Sequence, residues 1–232
     1  MEFSLAGLVC GCAAMAAVVA TAAPGGATAL SVNLDVNGLV SSAVAHSAFR
    51  EAARLWQPYR VELRESTDTP ALTVTLDLSD GNSPDALGQS FFDEQGPMPF
   101  IAIHFNAVQR AVTQGRPFGI DGALAPEPVR DRVVARVLGR AIAHEVGHYL
   151  LRWEHHAASG LMRAQHRPAE LADPRDRAYA LTPLDVERLA ASLRGPALAG
   201  LQSAAAANTA AAHQTDPGIE RLEGRRRVAA AQ

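Results

Sequence analysis

Cysteine is nearly absent from this 232-residue chain: its two examples, Cys10 and Cys12, fall within the first twelve residues. With that segment removed, neither a disulfide framework nor a cysteine nucleophile remains. Excess charge is missing too. The formal net charge is −3 and the pI about 6.2, which gives no reason to expect nucleic acid as a partner. No internal repeat is evident, which argues against a solenoid. What is present is apolar content of 48%, inflated by Ala-rich ends but enough for one domain with a real core. Histidine is the unevenly placed residue. All eight lie after residue 45, and five fall between 144 and 166.

Residues 1–29 read as a secretory signal or a membrane anchor. Phe3 to Ala23 is apolar and small, followed by A-x-A patterns at Ala20-Thr21-Ala22 and Ala27-Thr28-Ala29. No Lys or Arg precedes the run, and its length would also suit an uncleaved anchor. Either outcome places the working domain, residues 30–194, outside the cytoplasm, with membrane contact only if the segment stays attached. Residues 195–232 are Ala-rich, poor in large apolar side chains and carry Arg225-Arg226-Arg227. They read as a disordered tail, because they cannot bury enough to offset their ordering entropy.

Within the domain, Ser31 to Val36 and Leu72 to Leu78 alternate as strands, and Val61 to Leu63 is a short one. Ser41 or Ser42 caps a helix that carries Val44, Ala48, Ala52, Leu55 and Trp56 and stops at Pro58. Asp80 to Pro99 reads as a long loop, Ile101 to Phe105 as a strand at a sheet edge, and Gln114 to Pro126 as a loop. A central helix runs from about Pro128 to about Leu151. Val134, Leu138, Ile142 and Tyr149 form its apolar side, extended by Val146 and Leu150. Arg132, Arg136 and Arg140 form a polar stripe, and His144 and His148 share a third sector with Val137 and Ala141. A helix apolar over most of its circumference is mostly buried, so the histidines belong at the floor of a cleft. Thr182 and Asp185 resemble a capping box that opens a last helix ending near Leu193.

The chemistry sits in His144-Glu145-Val146-Gly147-His148. Residues four apart lie on one helix face, about 40° past a full turn, so the two imidazoles can be neighbouring ligands of one zinc ion. Glu145, one step round, is placed as a general base rather than a ligand. The alternative is two helical histidines hydrogen-bonded in the core, but burying two imidazoles and a carboxylate without a metal is costly. A catalytic zinc takes three protein ligands and a water. Glu154, His155 and His156 all follow the helix, and each is a legitimate third ligand.

The motif, a later histidine and Ser159-Gly160-Leu161-Met162-Arg163 together resemble the zinc-dependent metallopeptidases of the metzincin type. The likeness is closer to a group of secreted bacterial metallopeptidases, most of them uncharacterised. Those have HExxH, a seven-residue gap, a histidine, and a small-residue turn ending Gly-Ile/Leu-Met-Arg. The resemblance spans roughly residues 31 to 193 and is strongest from 140 to 164. It implies an α/β (α+β) zincin-like fold: a small twisted mixed sheet packed on two long helices, the second carrying HExxH. It also implies one zinc per chain, His156 as third ligand, Met162 as a supporting methionine turn and a peptide or protein substrate.

The chain departs from the common metzincin spacing, which would put Gly at 151 and His at 154; here these are Leu151 and Glu154. Glu154 and His155 therefore stay open as alternatives to His156. Without that glycine the helix loses an easy left-handed exit and is expected to end later or less sharply. Arg163 and Tyr179 could help hold a substrate oxyanion but read more readily as surface contacts and carry no assigned role, and Trp153 reads as packing at the helix end. His46, His104, His166 and His213 read as bystanders, with His166 close enough to support a ligand. The functional expectation is a secreted zinc endopeptidase. The competing one is a non-catalytic zinc-binding or interaction protein on the same fold, which a closed site with both Glu154 and His156 would favour.

Overall fold

Alternation in the strands and 3.6-residue periodicity in the helices build one mixed sheet backed by two long helices. The computed structural model describes residues 27–194 except 82–84, 117–118, 120–123 and 176–177. The amino-terminal run and the Ala-rich tail lie outside the described residues, as do His213 and the arginine triplet. No helix among the described residues is long and apolar enough to cross a membrane.

The elements run β1 (Thr28–Asp35), α1 (Ser42–Trp56), a 3-10 turn (Gln57–Tyr59), β2 (Val61–Glu65), β3 (Leu72–Asp77), β4 (Gly88–Asp93), β5 (Gly96–His104), α2 (Phe105–Gln114), α3 (Glu127–Leu151), α4 (Pro168–Ala172) and α5 (Pro183–Arg194). The sheet order is β2-β1-β3-β5-β4. The first four of these strands are parallel, and β4 pairs antiparallel with β5. This is the α/β architecture the sequence leads one to expect.

One face of the sheet carries Leu30, Val32, Leu72, Val74, Leu76, Ile101 and Ile103, all buried in the core shared with α1 and α3. Each such side chain contributes about 1.5–3 kcal/mol by leaving water. Ser41 caps α1 by accepting a hydrogen bond from the Val44 amide at 3.3 Å, and Val44, Ala48, Ala52, Leu55 and Trp56 form its buried stripe. Thr182 and Asp185 bond reciprocally ahead of α5: Asp185 Oδ2 lies 2.6 Å from Thr182 Oγ1, and that oxygen accepts from the Asp185 amide at 3.2 Å.

Four expectations fail. Asp80 to Pro99 is not a loop throughout: it contains β4, the start of β5 and a turn in which Asp93 Oδ1 accepts from the Gln95 and Gly96 amides. Strand β4 is half-buried along its length and has a register shift between Ser90 and Phe92, so no clean alternation marks it. Strand β5 is not an edge either, because β4 covers its outer side; β4 ends the sheet. Phe105 opens α2 rather than closing a strand, with Phe105, Val108, Ala111 and Val112 on its buried side. Finally, Leu78 lies beyond β3 and is 58% exposed.

Helices α1 and α3 lie close together at Gly139. A Cβ there would lie 2.5 Å from the Ala48 carbonyl oxygen and 2.7 Å from Glu51 Cβ. Gly139→Ala should therefore destabilise the protein by about 1–3 kcal/mol through overpacking, despite a gain in helix propensity of up to about 1 kcal/mol. The expected fall in Tm is about 2–4 °C per kcal/mol, and an unchanged Tm would mean that the backbones are free to part.

Candidate metal centre

The centre lies on the last two turns of α3 and on the segment that returns beneath them. Helix α3 ends at Leu151 because Arg152 turns left-handed, at φ 50° and ψ 44°. The Trp153 amide then donates to the His148 carbonyl at 3.2 Å. A non-glycine residue in this region costs about 1 kcal/mol, and Arg152 recovers part of that by donating to the Gln95 carbonyl of the β4–β5 turn. The helix end is thus sharp, contrary to expectation.

Beyond this exit the chain folds into a closed turn. The Ala157 amide donates to the Met162 carbonyl at 2.8 Å, and the Leu161 amide to the Ala180 carbonyl at 3.0 Å. Gly160 has φ +80°, and a Cβ there would collide with the Ala180 carbonyl, so only glycine fits. Met162 is buried against α3, where Gly147 makes room: a Cβ at 147 would strike the Met162 sulfur. Trp56 closes the same region from α1, its indole donating to the Ala143 carbonyl at 3.1 Å.

The two helical histidines are held from behind. His144 Nδ1 is 2.8 Å from the Leu161 carbonyl, and His148 Nδ1 is 2.7 Å from the Trp153 carbonyl. A carbonyl only accepts, so each Nδ1 carries a proton and each neutral ring leaves a lone pair on Nε2. The two Nε2 atoms lie 3.1 Å apart. The His156 ring stacks on His144 at 5.2 Å and meets His148 edge-on at 4.9 Å. Ligand atoms of His144, His148 and His156 lie within 4.8 Å of one another, and among the described residues this is the group of His, Cys, Asp and Glu that could hold an ion. Glu154 and His155 are outside it. The His155 ring packs edge-on against Trp153 at 4.9 Å.

Burial keeps both helical rings uncharged, lowering each to about 4, with neighbouring imidazoles adding to the effect and the Leu161 and Trp153 carbonyls opposing it. Glu145 is buried beside them. Burial pushes its carboxyl up, against the pull of His148 and of Ser90. Ser90 Oγ on β4 lies 2.8 Å from Glu145 Oε2 and 3.1 Å from the Glu145 carbonyl oxygen. Strand β4 comes this close because of Gly88, where a Cβ would lie 2.9 Å from Glu145 Cγ.

Ser90 and Gly88 lie in the segment expected to be loop, so neither is a candidate from sequence alone. The pair Phe91-Phe92 between Gly88 and Gly96 was the available signal. The arginine stripe also has a different destination. Arg140 is 1% exposed. Its guanidinium bonds Glu51 at 3.3 Å, the Leu171 carbonyl at 2.9 Å, the Asp173 carbonyl at 2.8 Å and the Glu170 carbonyl. It also lies 4.3 Å over the Tyr179 ring, and Tyr179 stacks on His166 at 4.6 Å. Tyr179 is therefore buried in the wall of the site, not a surface contact. Trp153 is partly exposed beneath Arg188, at 4.2 Å.

A cavity of about 670 Å³ opens beside the centre, reaching from His144, Glu145 and His156 to α2 and to the segment before α4. The donor set suits zinc: three imidazole nitrogens, two with lone pairs already aimed at a shared point, and a carboxylate nearby that is not in the group.

No family model and no curated protein matches the chain. Among solved structures it is similar to archaemetzincin from Methanopyrus kandleri, at 14% identity, covering 74% of this chain and 99% of that one, with a TM-score of 0.48.

Two outcomes follow from the geometry. Arg140→Met leaves Glu51 and three carbonyls short of a donor and should cost about 3 kcal/mol or more, read as a lower urea midpoint. In the metal-free protein, His144 and His148 take up protons near 4, whereas in the unfolded chain they do so near 6.5. The unfolded chain therefore binds more protons between those values, and these two rings subtract stability as pH falls through that window. Removing one of them, as in His144→Gln, should flatten the decline in unfolding free energy between pH 6.5 and 4 relative to wild type; parallel curves would contradict the neutral-ring assignment.

Proposed function

We propose that this chain is a secreted zinc-dependent endopeptidase that binds one zinc per chain through His144, His148 and His156 and uses Glu145 as general base. The observation that carries this reading is the pair of Nε2 atoms 3.1 Å apart. Each bears a lone pair, because its Nδ1 proton is committed to a carbonyl. Two acceptors cannot bond each other, so the pair is poised for a cation between them, and His156 supplies the third nitrogen.

Zinc bound there would lower the pKa of a water from 15.7 to about 7 and polarise a substrate carbonyl. The protein's own part is to hold and move a proton. Glu145 accepts it from the attacking water and passes it to the departing amine. A carboxyl raised by burial is a stronger base than one in water, and the Ser90 hydroxyl keeps it oriented. The three-nitrogen set leaves a coordination place for solvent, as catalytic zinc sites do.

Strand β4, rather than β5, offers the sheet edge nearest Glu145. An extended peptide adding to that edge by backbone pairing would lie across the centre. The apolar run in residues 3–23 supports export. The second reading, a non-catalytic zinc-binding protein, needs a fourth protein ligand to close the site. Glu154 is the residue that would supply it, and it stands outside the ligand group.

Metal analysis should give about one zinc per chain. Glu145→Gln should keep the zinc and abolish cleavage of a mixed peptide library; undiminished hydrolysis in that variant would remove the general-base assignment. His156→Ala should lose zinc, whereas His155→Ala and Glu154→Gln should retain it, and the opposite pattern would reassign the third ligand.

A further inference from the structure

We propose that Arg152 is a positioning residue. Its guanidinium holds the β4–β5 hairpin at a fixed angle to the last turns of α3, so that a peptide paired along β4 is aligned with the metal centre. This rests on the hydrolytic reading and adds the residue that aligns its substrate.

Strand β4 is the last strand of the sheet, and it is tied to α3 at two places. At one, Ser90 Oγ lies 2.8 Å from Glu145 Oε2 and 3.1 Å from the Glu145 carbonyl oxygen. At the other, beyond the far end of β4, Arg152 donates to the Gln95 carbonyl. Glu145 and Arg152 stand about two turns apart on the helix, and His148 lies between them. A strand held at one point can pivot about it. A second tie, some way along, fixes its direction. The turn is shaped to receive the guanidinium. Asp93 Oδ1 accepts from the Gln95 and Gly96 amides at 2.7 and 3.1 Å, so the turn is held from within while the Gln95 carbonyl meets Arg152. Gly96 has φ +123°, and a Cβ there would lie 2.3 Å from Arg152 Nη2 and 3.0 Å from Cζ. The guanidinium therefore rests on bare backbone.

The backbone of the same residue supports the metal centre. Its left-handed conformation ends α3, and the next residue, Trp153, supplies the carbonyl that holds His148 Nδ1. Arg152 thus has its main chain behind a metal-binding histidine and its side chain on the hairpin. The contact is exposed and adds little to stability. Its value is geometric, because misplacing a reacting bond by about 1 Å can cost about a hundredfold in rate. Without the guanidinium, Ser90 is left as a pivot. A peptide lying along β4 from Ser90 to the turn then swings with the strand. A substrate short enough to reach only the metal centre is insensitive to that angle.

The test is Arg152→Gly in the zinc-loaded full chain. Glycine takes the left-handed conformation at no steric cost, so the helix exit is kept while the side chain is lost. Zinc content and Tm should therefore not fall. Two substrates are compared: a peptide long enough to run along β4 from Ser90 to Gln95, and a blocked dipeptide amide. The long-to-short ratio of kcat/KM should drop about tenfold relative to wild type. Arg152→Lys, which keeps a donor for the Gln95 carbonyl, should recover part of that drop. An unchanged ratio, a fall in zinc content or Tm, or no recovery with lysine would overturn the proposal and leave the hydrolytic reading intact. Binding is read separately by fluorescence anisotropy on zinc-loaded Glu145→Gln, where the long peptide should bind more tightly than the short one and lose that advantage when Arg152→Gly is added. That result without any cleavage by the wild type would sink the hydrolytic reading and keep Arg152 as the residue that aligns a bound peptide. No difference in binding on adding Arg152→Gly would overturn the alignment as well.

Discussion

Two hydrogen bonds from imidazole Nδ1 to backbone carbonyls organise this molecule. They fix the tautomers of His144 and His148, and so the direction of two lone pairs. Both carbonyls, Trp153 and Leu161, belong to the stretch that follows α3. That stretch therefore does more than deliver His156. It decides what the helical histidines can bind. If it moved away, both Nδ1 atoms would lose their partners, and the lone pairs could relocate to the wrong nitrogen. The facing Nε2 atoms repel each other when nothing lies between them, and that cost has to be met by the rest of the fold.

The fold meets it through a series of local exceptions. Arg152 is left-handed without being glycine, Gly147 sits in the middle of a long helix, and Arg140 is a buried cation. Each departs from an ordinary preference, and each serves the returning stretch. Arg152 ends α3 abruptly enough for Trp153 to reach back. Gly147 admits Met162 beneath the histidines. Arg140 bonds three carbonyls at or just after α4 and stacks on Tyr179, which anchors the far end of the same stretch. The chain contains no lysine, and a lysine at 140 could not do this work, since a point charge has no planar fork to share among several acceptors and an aromatic face. Exceptions that converge on one place are the mark of a functional site.

Much of this was legible in the sequence, and what was not had physical causes. Strands β1 and β3 and helices α1 and α3 showed themselves by periodicity, because each buries one face continuously. The i, i+4 histidines followed from helix geometry alone. The grouping of His156 rather than Glu154 or His155 did not, because it depends on where the chain leaves the helix, and spacing does not encode a left-handed arginine. Helix α2 escaped because it begins directly at the end of β5, with no side-chain cap at His104 to divide them. The arginine stripe was visible as a stripe, but a helical wheel reports polarity and not destination. Strand β4 was missed because an edge strand with a bulge loses the two-residue period that identifies strands.

The pairing of β4 with β5 bears on the chemistry. In a regular strand, neighbouring residues point to opposite faces, so a one-residue slip would turn Ser90 away from Glu145. The pleat therefore lets β4 serve two surfaces at once, with its register shift falling only beyond Ser90. Ser90 faces the helix and reaches Glu145, while Phe91 turns outward to lie 5.5 Å from Phe100. The register, with Ser90 opposite Ile101, aims the hydroxyl. Burial raises the carboxyl of Glu145. A donor from β4 offsets part of that, so the basicity of the carboxyl is set partly by an edge strand. The outermost strand of the sheet thus also tunes the carboxylate beside the three histidines, so strand order bears directly on the candidate centre.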